Sequence, residues 1–191
     1  MMNLPNALTC SRPLLAVVFV FFLFAEGFWA KALALAVFLV ASLTDYWDGY
    51  FARKGGKTTS FGKLMDPIAD KVLTLSAFVS FMVLGLMPWW LVLLIVVREV
   101  FITGLRLAMP AHAPEIAAGP SGKQKTALQM AVILFTLFYL LAKECAFWRH
   151  EWDSPVLQGI NVAMVLILAL TLWSGWRYLL STQKFFKRSL Q

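Results

Sequence analysis

Five apolar runs that reach or approach the length of a membrane-crossing helix, with a shorter one ahead of them, constrain this chain more than any other feature. A hydrocarbon core about 30 Å thick takes roughly 20 apolar residues per helix. The runs are Leu8 to Ala25, Ala30 to Arg53, Pro67 to Leu86, Trp89 to Leu107, Thr126 to Ala142 and Val156 to Leu180. With 60% of its 191 residues hydrophobic and 14% charged, the chain has more apolar surface than a soluble domain of this size can bury. The expectation is an all-α integral membrane protein with six transmembrane helices, forming one domain over residues 1–191. No internal repeat or low-complexity tract divides it. Within the first run, Pro13 to Ala25 has the length of a signal peptide's apolar part, but Arg12 gives it only a thin basic region and no clear small-x-small cleavage site follows, so it reads as a retained helix.

Six helices put both termini on one side. Placing them in the cytoplasm leaves only Lys31, Lys143 and Arg149 of the 17 Lys and Arg residues outside, as the positive-inside rule demands. This predicts a multi-pass protein of the inner (cytoplasmic) membrane. The net charge of +7 sits at membrane edges and not on one soluble face, which argues against nucleic acid and for anionic lipid head groups. Cys10 and Cys145 fall near opposite surfaces and cannot pair. Outside, Trp148, His150, Trp152 and Asp153 suggest an interfacial belt. Inside, two polar connections stand out, Lys54 to Met65 and Ala108 to Lys125. Gly55, Gly56, Thr58, Thr59, Ser60 and Gly62 make the first a turn able to bring backbone amides near a ligand.

The cytoplasmic end of helix two carries Asp45 and Asp48, and the start of helix three carries Asp66 and Asp70. At 3.6 residues per turn the first pair lies about 60° apart and the second about 40° apart, so each projects from one face. Consecutive antiparallel helices then bring four carboxylates to one depth. An Asp at a membrane helix centre costs roughly 2.5–3.5 kcal/mol, so the group needs neutralising. Arg53, Lys63 and Lys71 could pair with some of the acids, and a hydrogen-bonded polar network is the structural alternative. Neither explains the shared face as well as divalent metal does, and an all-oxygen donor set suits Mg²⁺ or Mn²⁺ rather than zinc. Gly49 and Ala52 adjoin the acidic face, where small residues admit either a nucleotide or a neighbouring helix. Arg53 lies one turn beyond Gly49, placed to grip a diphosphate or to snorkel at the interface.

In full the spacing is Asp45-x2-Asp48-Gly49-x2-Ala52-Arg53-x8-Gly62-x3-Asp66-x3-Asp70. All eight fixed positions resemble the signature of the CDP-alcohol phosphatidyltransferases. The resemblance implies an active site at the cytoplasmic ends of helices two and three. There Asp45, Asp48, Asp66 and Asp70 hold two divalent ions, Mg²⁺ before Mn²⁺, against the diphosphate of a CDP-linked lipid. Asp70 would also take the proton from the acceptor hydroxyl. Gly49, Ala52, Arg53, Ser60 and Gly62 fall to the nucleotide and its diphosphate. A homodimer is implied by the resemblance alone.

Three further segments narrow the acceptor. Asn3-Leu-Pro-Asn-Ala-Leu-Thr9 with Arg12, Arg98-Glu-Val-Phe-Ile-Thr-Gly-Leu-Arg106, and Gly122-Lys-Gln-Lys-Thr-Ala-Leu-Gln129 resemble the bacterial members that use glycerol 3-phosphate. The implied reaction moves the phosphatidyl group of CDP-diacylglycerol to glycerol 3-phosphate, giving phosphatidylglycerophosphate and CMP. Arg98, Arg106, Lys123 and Lys125 are candidate ligands of the acceptor phosphate; the alternative is that they serve topology and lipid contact. Eight residues separate Arg98 from Arg106, about 12 Å along a helix, which argues against one shared ligand. Adjacent helix positions do not face each other, so Arg98 is not expected to pair with Glu99. Asn6 and Thr9, with Arg12, close the nucleotide site or cap the first helix. The last helix reads as generic.

Two rivals make different predictions. The same chemistry with inositol phosphate, serine or another lipid alcohol as acceptor would show in a comparison of labelled acceptors. A cation transporter using the four aspartates needs a path to the outer face, yet the runs from Ala32 to Val40 and from Phe78 to Leu86 carry no charge.

Overall fold

The computed structural model describes the backbone of residues 4–55, 60–108 and 120–189, and side-chain surroundings for residues 12–44, 68, 69, 71–105, 107 and 124–182. Among the described residues there are six α-helices and no strand: α1 (Leu4–Phe24), α2 (Phe28–Gly55), α3 (Ser60–Val83), α4 (Trp89–Ala108), α5 (Pro120–Lys143) and α6 (Asp153–Ser189). A short 3-10 turn, His150–Trp152, leads into α6.

Each apolar run lies within one of these helices or passes its end by a few residues, and the larger differences have local causes. Helix α3 starts at Ser60, so much of the expected connection Lys54 to Met65 is helical. Serine is favoured at a helix start, and Lys63, Leu64 and Met65 are good helix formers. Helix α5 starts at Pro120, whose fixed φ suits the first turn and whose missing N–H costs nothing there. Because α1 begins at Leu4, Thr9 and Arg12 lie in its second and third turns. The capping role offered for them does not hold, since a cap must flank the first turn.

Helix α1 packs along both α2 and α3, while α5 joins α2 to α6 and α4 rests on α3 and α6. One core runs through all six helices, with Phe19 against Phe38 at 5.5 Å between ring centroids, then Phe78, Phe81, Ile95, Ile133 and Met164, all buried. The outer faces are apolar too: Leu14, Phe21, Trp29, Val83, Trp89, Val100, Trp173 and Trp176 are exposed. A molecule apolar both within and without is suited to lipid. Among the described residues, Gln124–Lys143 and His150–Thr182 are long and apolar enough to cross a membrane; only 22% of the most apolar part of the second is buried, unlike the core helix of a soluble protein. Shorter apolar helical stretches occupy Arg12–Phe24, Phe28–Thr44 and Lys71–Val83.

The turns are tied by specific bonds. At the end of α3 the Leu86 N–H donates to the Phe81 carbonyl (2.9 Å) and the Gly85 N–H to the Met82 carbonyl (3.0 Å). This paired pattern requires a left-handed residue after the helix, and Gly85 supplies it at φ +73°. At the end of α1, the buried Lys31 ammonium donates to the carbonyls of Leu23 (2.8 Å) and Ala25 (2.9 Å). It thereby satisfies terminal acceptors that α1 cannot satisfy itself. Lys31→Met should lower unfolding free energy in detergent by about 1–3 kcal/mol, the cost of stranding buried acceptors. Unchanged denaturation would show that those carbonyls find another donor.

Before α6, the Asp153 carboxylate accepts from Tyr139 Oη and Trp148 Nε1 (both 2.9 Å) and pairs with Lys143 (3.1 Å). Trp148 also meets Tyr139 and Trp152 edge-on, each at 5.4 Å between centroids. The aromatic group expected around Trp148 is thus a knot joining α5 to α6.

Candidate active site

Helices α2 and α3 are joined through residues 56–59, a connection short enough to make antiparallel neighbours, and both pack on α1. Asp45 lies ten residues before the end of α2 at Gly55, and Asp70 ten residues after the start of α3 at Ser60. Asp48 and Asp66 stand seven and six residues from the same ends. At 1.5 Å per residue, Asp45 and Asp70 stand about 15 Å along their helices from these ends and Asp48 and Asp66 about 10 Å. All four aspartates thus sit on the connected ends of two successive helices.

The side chains of Asp45, Asp48, Asp66 and Asp70 lie outside the described residues, as do those of Asn6, Thr9, Gly49, Ala52, Arg53, Ser60, Gly62, Arg106 and Lys123. Among the described residues no group of three or more His, Cys, Asp or Glu is placed to hold a metal. The donor set fits one nonetheless in its chemistry: four carboxylates and no nitrogen or sulfur donor match a hard divalent cation.

Beside this region stands an acid that the sequence reading had passed over. Glu99 on α4 is buried, 2% exposed. Its Oε2 takes Lys71 of α3 at 2.9 Å, and its Oε1 takes Lys125 of α5 at 2.5 Å and Arg98 at 3.3 Å. Gln129, one turn after Lys125 on α5, reaches Oε1 at 3.5 Å. Arg98 and Glu99 do pair, contrary to expectation, because the long guanidinium stem can curl around the helix to a neighbour that a short side chain could not meet. Lys71, offered above as a counter-charge for the aspartates, has its ammonium on Glu99. Arg98 and Lys125 converge on one oxygen, so these two candidate acceptor ligands share a depth.

Helix α6 is not generic at this level. Arg98 Nη2 donates to Ser174 Oγ at 2.7 Å, and Ser174 donates in turn to the Thr171 carbonyl at 3.0 Å. A Cβ at Gly175 would stand 2.9 Å from Arg98 Nε, so the glycine makes room for the guanidinium against the helix. Sequence offered one signal for this group: Glu99 is an ionisable residue in the middle of an apolar run, and such residues are functional candidates.

Helices alone among the described residues, a lipid-suited surface and a buried carboxylate that gathers cations from three helices are the marks of a membrane protein with a polar site inside the bundle. The sequence profile of the CDP-alcohol phosphatidyltransferases matches residues 2–177, and the chain belongs to that family. Its relatives include a Bacillus subtilis protein, 34% identical over 93% of this chain and 94% of its own length, and a Pectobacterium atrosepticum protein, 36% identical over 93% of each. Both are named CDP-diacylglycerol--glycerol-3-phosphate 3-phosphatidyltransferase. A Mycobacterium tuberculosis protein, 43% identical over 71% of this chain and 66% of its own, is named probable phosphatidylglycerophosphate synthase. The family generally uses divalent metal ions. Membership in a transferase family sets the transporter reading aside.

Proposed function

We propose that this chain transfers the phosphatidyl group of CDP-diacylglycerol to glycerol 3-phosphate, giving phosphatidylglycerophosphate and CMP. The observation that carries the reading is near-full-length similarity to relatives named for that reaction. The complete eight-position aspartate signature and the three acceptor-like segments support it. Six membrane-spanning helices, both termini in the cytoplasm and an active site at the inner face of the cytoplasmic membrane give a lipid donor and a soluble acceptor access to one point. A homodimer completes the proposed assembly.

The work of each residue follows from its chemistry. Asp45, Asp48, Asp66 and Asp70 would hold two divalent ions, Mg²⁺ or Mn²⁺. When bound, these supply charge neutralisation at the donor diphosphate. Asp70 accepts the proton of the acceptor hydroxyl as that oxygen attacks phosphorus. Arg53 grips the diphosphate by paired hydrogen bonds, and Gly49, Ala52, Ser60 and Gly62, with Asn6 and Thr9, leave room for and orient the cytidine end. Arg98 and Lys125, which meet on one oxygen of Glu99, bind the acceptor phosphate, while Lys123 and Arg106 add positive charge on its approach.

The test uses protein purified in detergent, CDP-diacylglycerol, Mg²⁺ and each labelled acceptor, with CMP release as readout. Glycerol 3-phosphate should be consumed, and EDTA should stop turnover until Mg²⁺ or Mn²⁺ is restored. Product with serine or inositol phosphate but not glycerol 3-phosphate would overturn the acceptor assignment. Turnover untouched by chelation would overturn the metal assignment.

A further inference from the structure

We infer that Glu99 is a positioning residue of the acceptor site, holding Lys71, Arg98 and Lys125 together so that they present one cationic surface to a phosphate monoester. The inference rests on the proposed function for the identity of that acceptor.

Three helices deliver a cation to the same carboxylate: Lys71 from α3, Arg98 from α4 and Lys125 from α5. Glu99 is thus the shared partner of two candidate acceptor ligands, Arg98 and Lys125, and of Lys71, so one side chain sets where all three ammonium and guanidinium groups stand. Cations held side by side in fixed positions offer an anion several charge-assisted hydrogen bonds at once. A phosphate monoester is such an anion, with about −1.5 to −2 charges and three acceptor oxygens. Glu99 makes the gathering possible by occupying one face of each cation. Lys71, its side chain 28% exposed, keeps the most open surface of the three. It also follows Asp70 directly on α3, so the carboxylate ties the helix of the proposed base to the helices that carry the acceptor ligands. From the far side, Ser174 and the space over Gly175 seat Arg98 against α6.

Glu99 touches no reacting atom in this scheme, so its removal should separate acceptor from donor. In detergent-purified full-length protein, Glu99→Gln should weaken binding of glycerol 3-phosphate and of inorganic phosphate by about tenfold in calorimetry. The KM for glycerol 3-phosphate should rise by a similar factor while the KM for CDP-diacylglycerol stays within about twofold. Glu99→Asp, which keeps the charge on a shorter stem, should recover part of the affinity. Because Glu99 acts partly through Lys125, the Glu99→Gln, Lys125→Met pair should lose less phosphate binding than the two single losses combined.

Unchanged phosphate binding in Glu99→Gln, equal damage to both substrates, or additive losses in the pair would overturn the inference. Should Glu99→Gln not fold, Glu99→Asp and its pair with Lys125→Met decide by the same readouts. Wild-type protein that binds phosphate in a Glu99-dependent way yet makes no product from glycerol 3-phosphate would overturn the proposed acceptor and leave the positioning role standing. Wild-type turnover with an acceptor KM indifferent to Glu99 would do the reverse.

Discussion

Asp70→Asn should reduce CMP release from CDP-diacylglycerol and glycerol 3-phosphate by about a thousandfold or more, with no loss of folded protein. Asparagine has nearly the shape of aspartate, so α3 keeps its helical turn from Asp66 to Asp70. It carries no negative charge and takes no proton. General-base catalysis alone contributes roughly 10²–10⁴-fold, and the lost charge weakens the proposed metal site as well. Stability should move the other way, if at all, because an acid in a membrane helix costs roughly 2.5–3.5 kcal/mol at its centre and a neutral amide costs less. Activity and stability are thus predicted to diverge in one variant. Elution as a single species on size exclusion, with wild-type melting and no turnover, is the expected pattern. Retained turnover would remove Asp70 from the chemistry, and collapse of the fold would make it structural. Asp45→Asn should lose activity similarly through the metal site, without removing the base.

The helices were legible because lipid imposes a length on them, and apolar runs in the chain record that length directly. Their ends were less so: Ser60 and Pro120 start helices earlier than hydrophobicity suggests, because polar residues can lengthen a helix into the interface without changing the run. The aspartate signature was legible for a different reason. Its residues are close in sequence, on two helices joined by a short connection, so spacing stands in for geometry. Glu99 lacks that advantage. Its partner Lys125 lies 26 residues away, and Arg98 meets Ser174 across 76 residues. No local periodicity encodes such meetings; they come from how α3, α4, α5 and α6 pack. The local rule that adjacent helix positions face apart led to the wrong expectation for Arg98 and Glu99, because it describes Cβ directions and an arginine extends several bonds beyond its Cβ. Similarly, Ser174 and Gly175 look unremarked in a long apolar helix until Arg98 is found lying on them.

The same packing makes Glu99 the position where a single truncation should cost the most stability. Glu99→Ala is expected to destabilise the folded protein by about 3–5 kcal/mol, the range for stripping one partner from a buried charge group. The cost comes less from lost attraction than from what is left, since Lys71, Arg98 and Lys125 would remain crowded around an empty space without their shared carboxylate. That origin has a consequence for double variants. Adding Lys125→Met to Glu99→Ala removes one of the stranded charges and puts an apolar stem in its place, so the double variant should recover part of the loss. Simple additivity would instead make it worse than either single change. Denaturation in detergent, followed by the tryptophans, measures both. A Glu99→Ala protein within about 0.5 kcal/mol of wild type, the range of ordinary surface changes, would show that the three cations are solvated without the carboxylate. A double variant less stable than the single would show that Lys125 stabilises by packing and not through its charge.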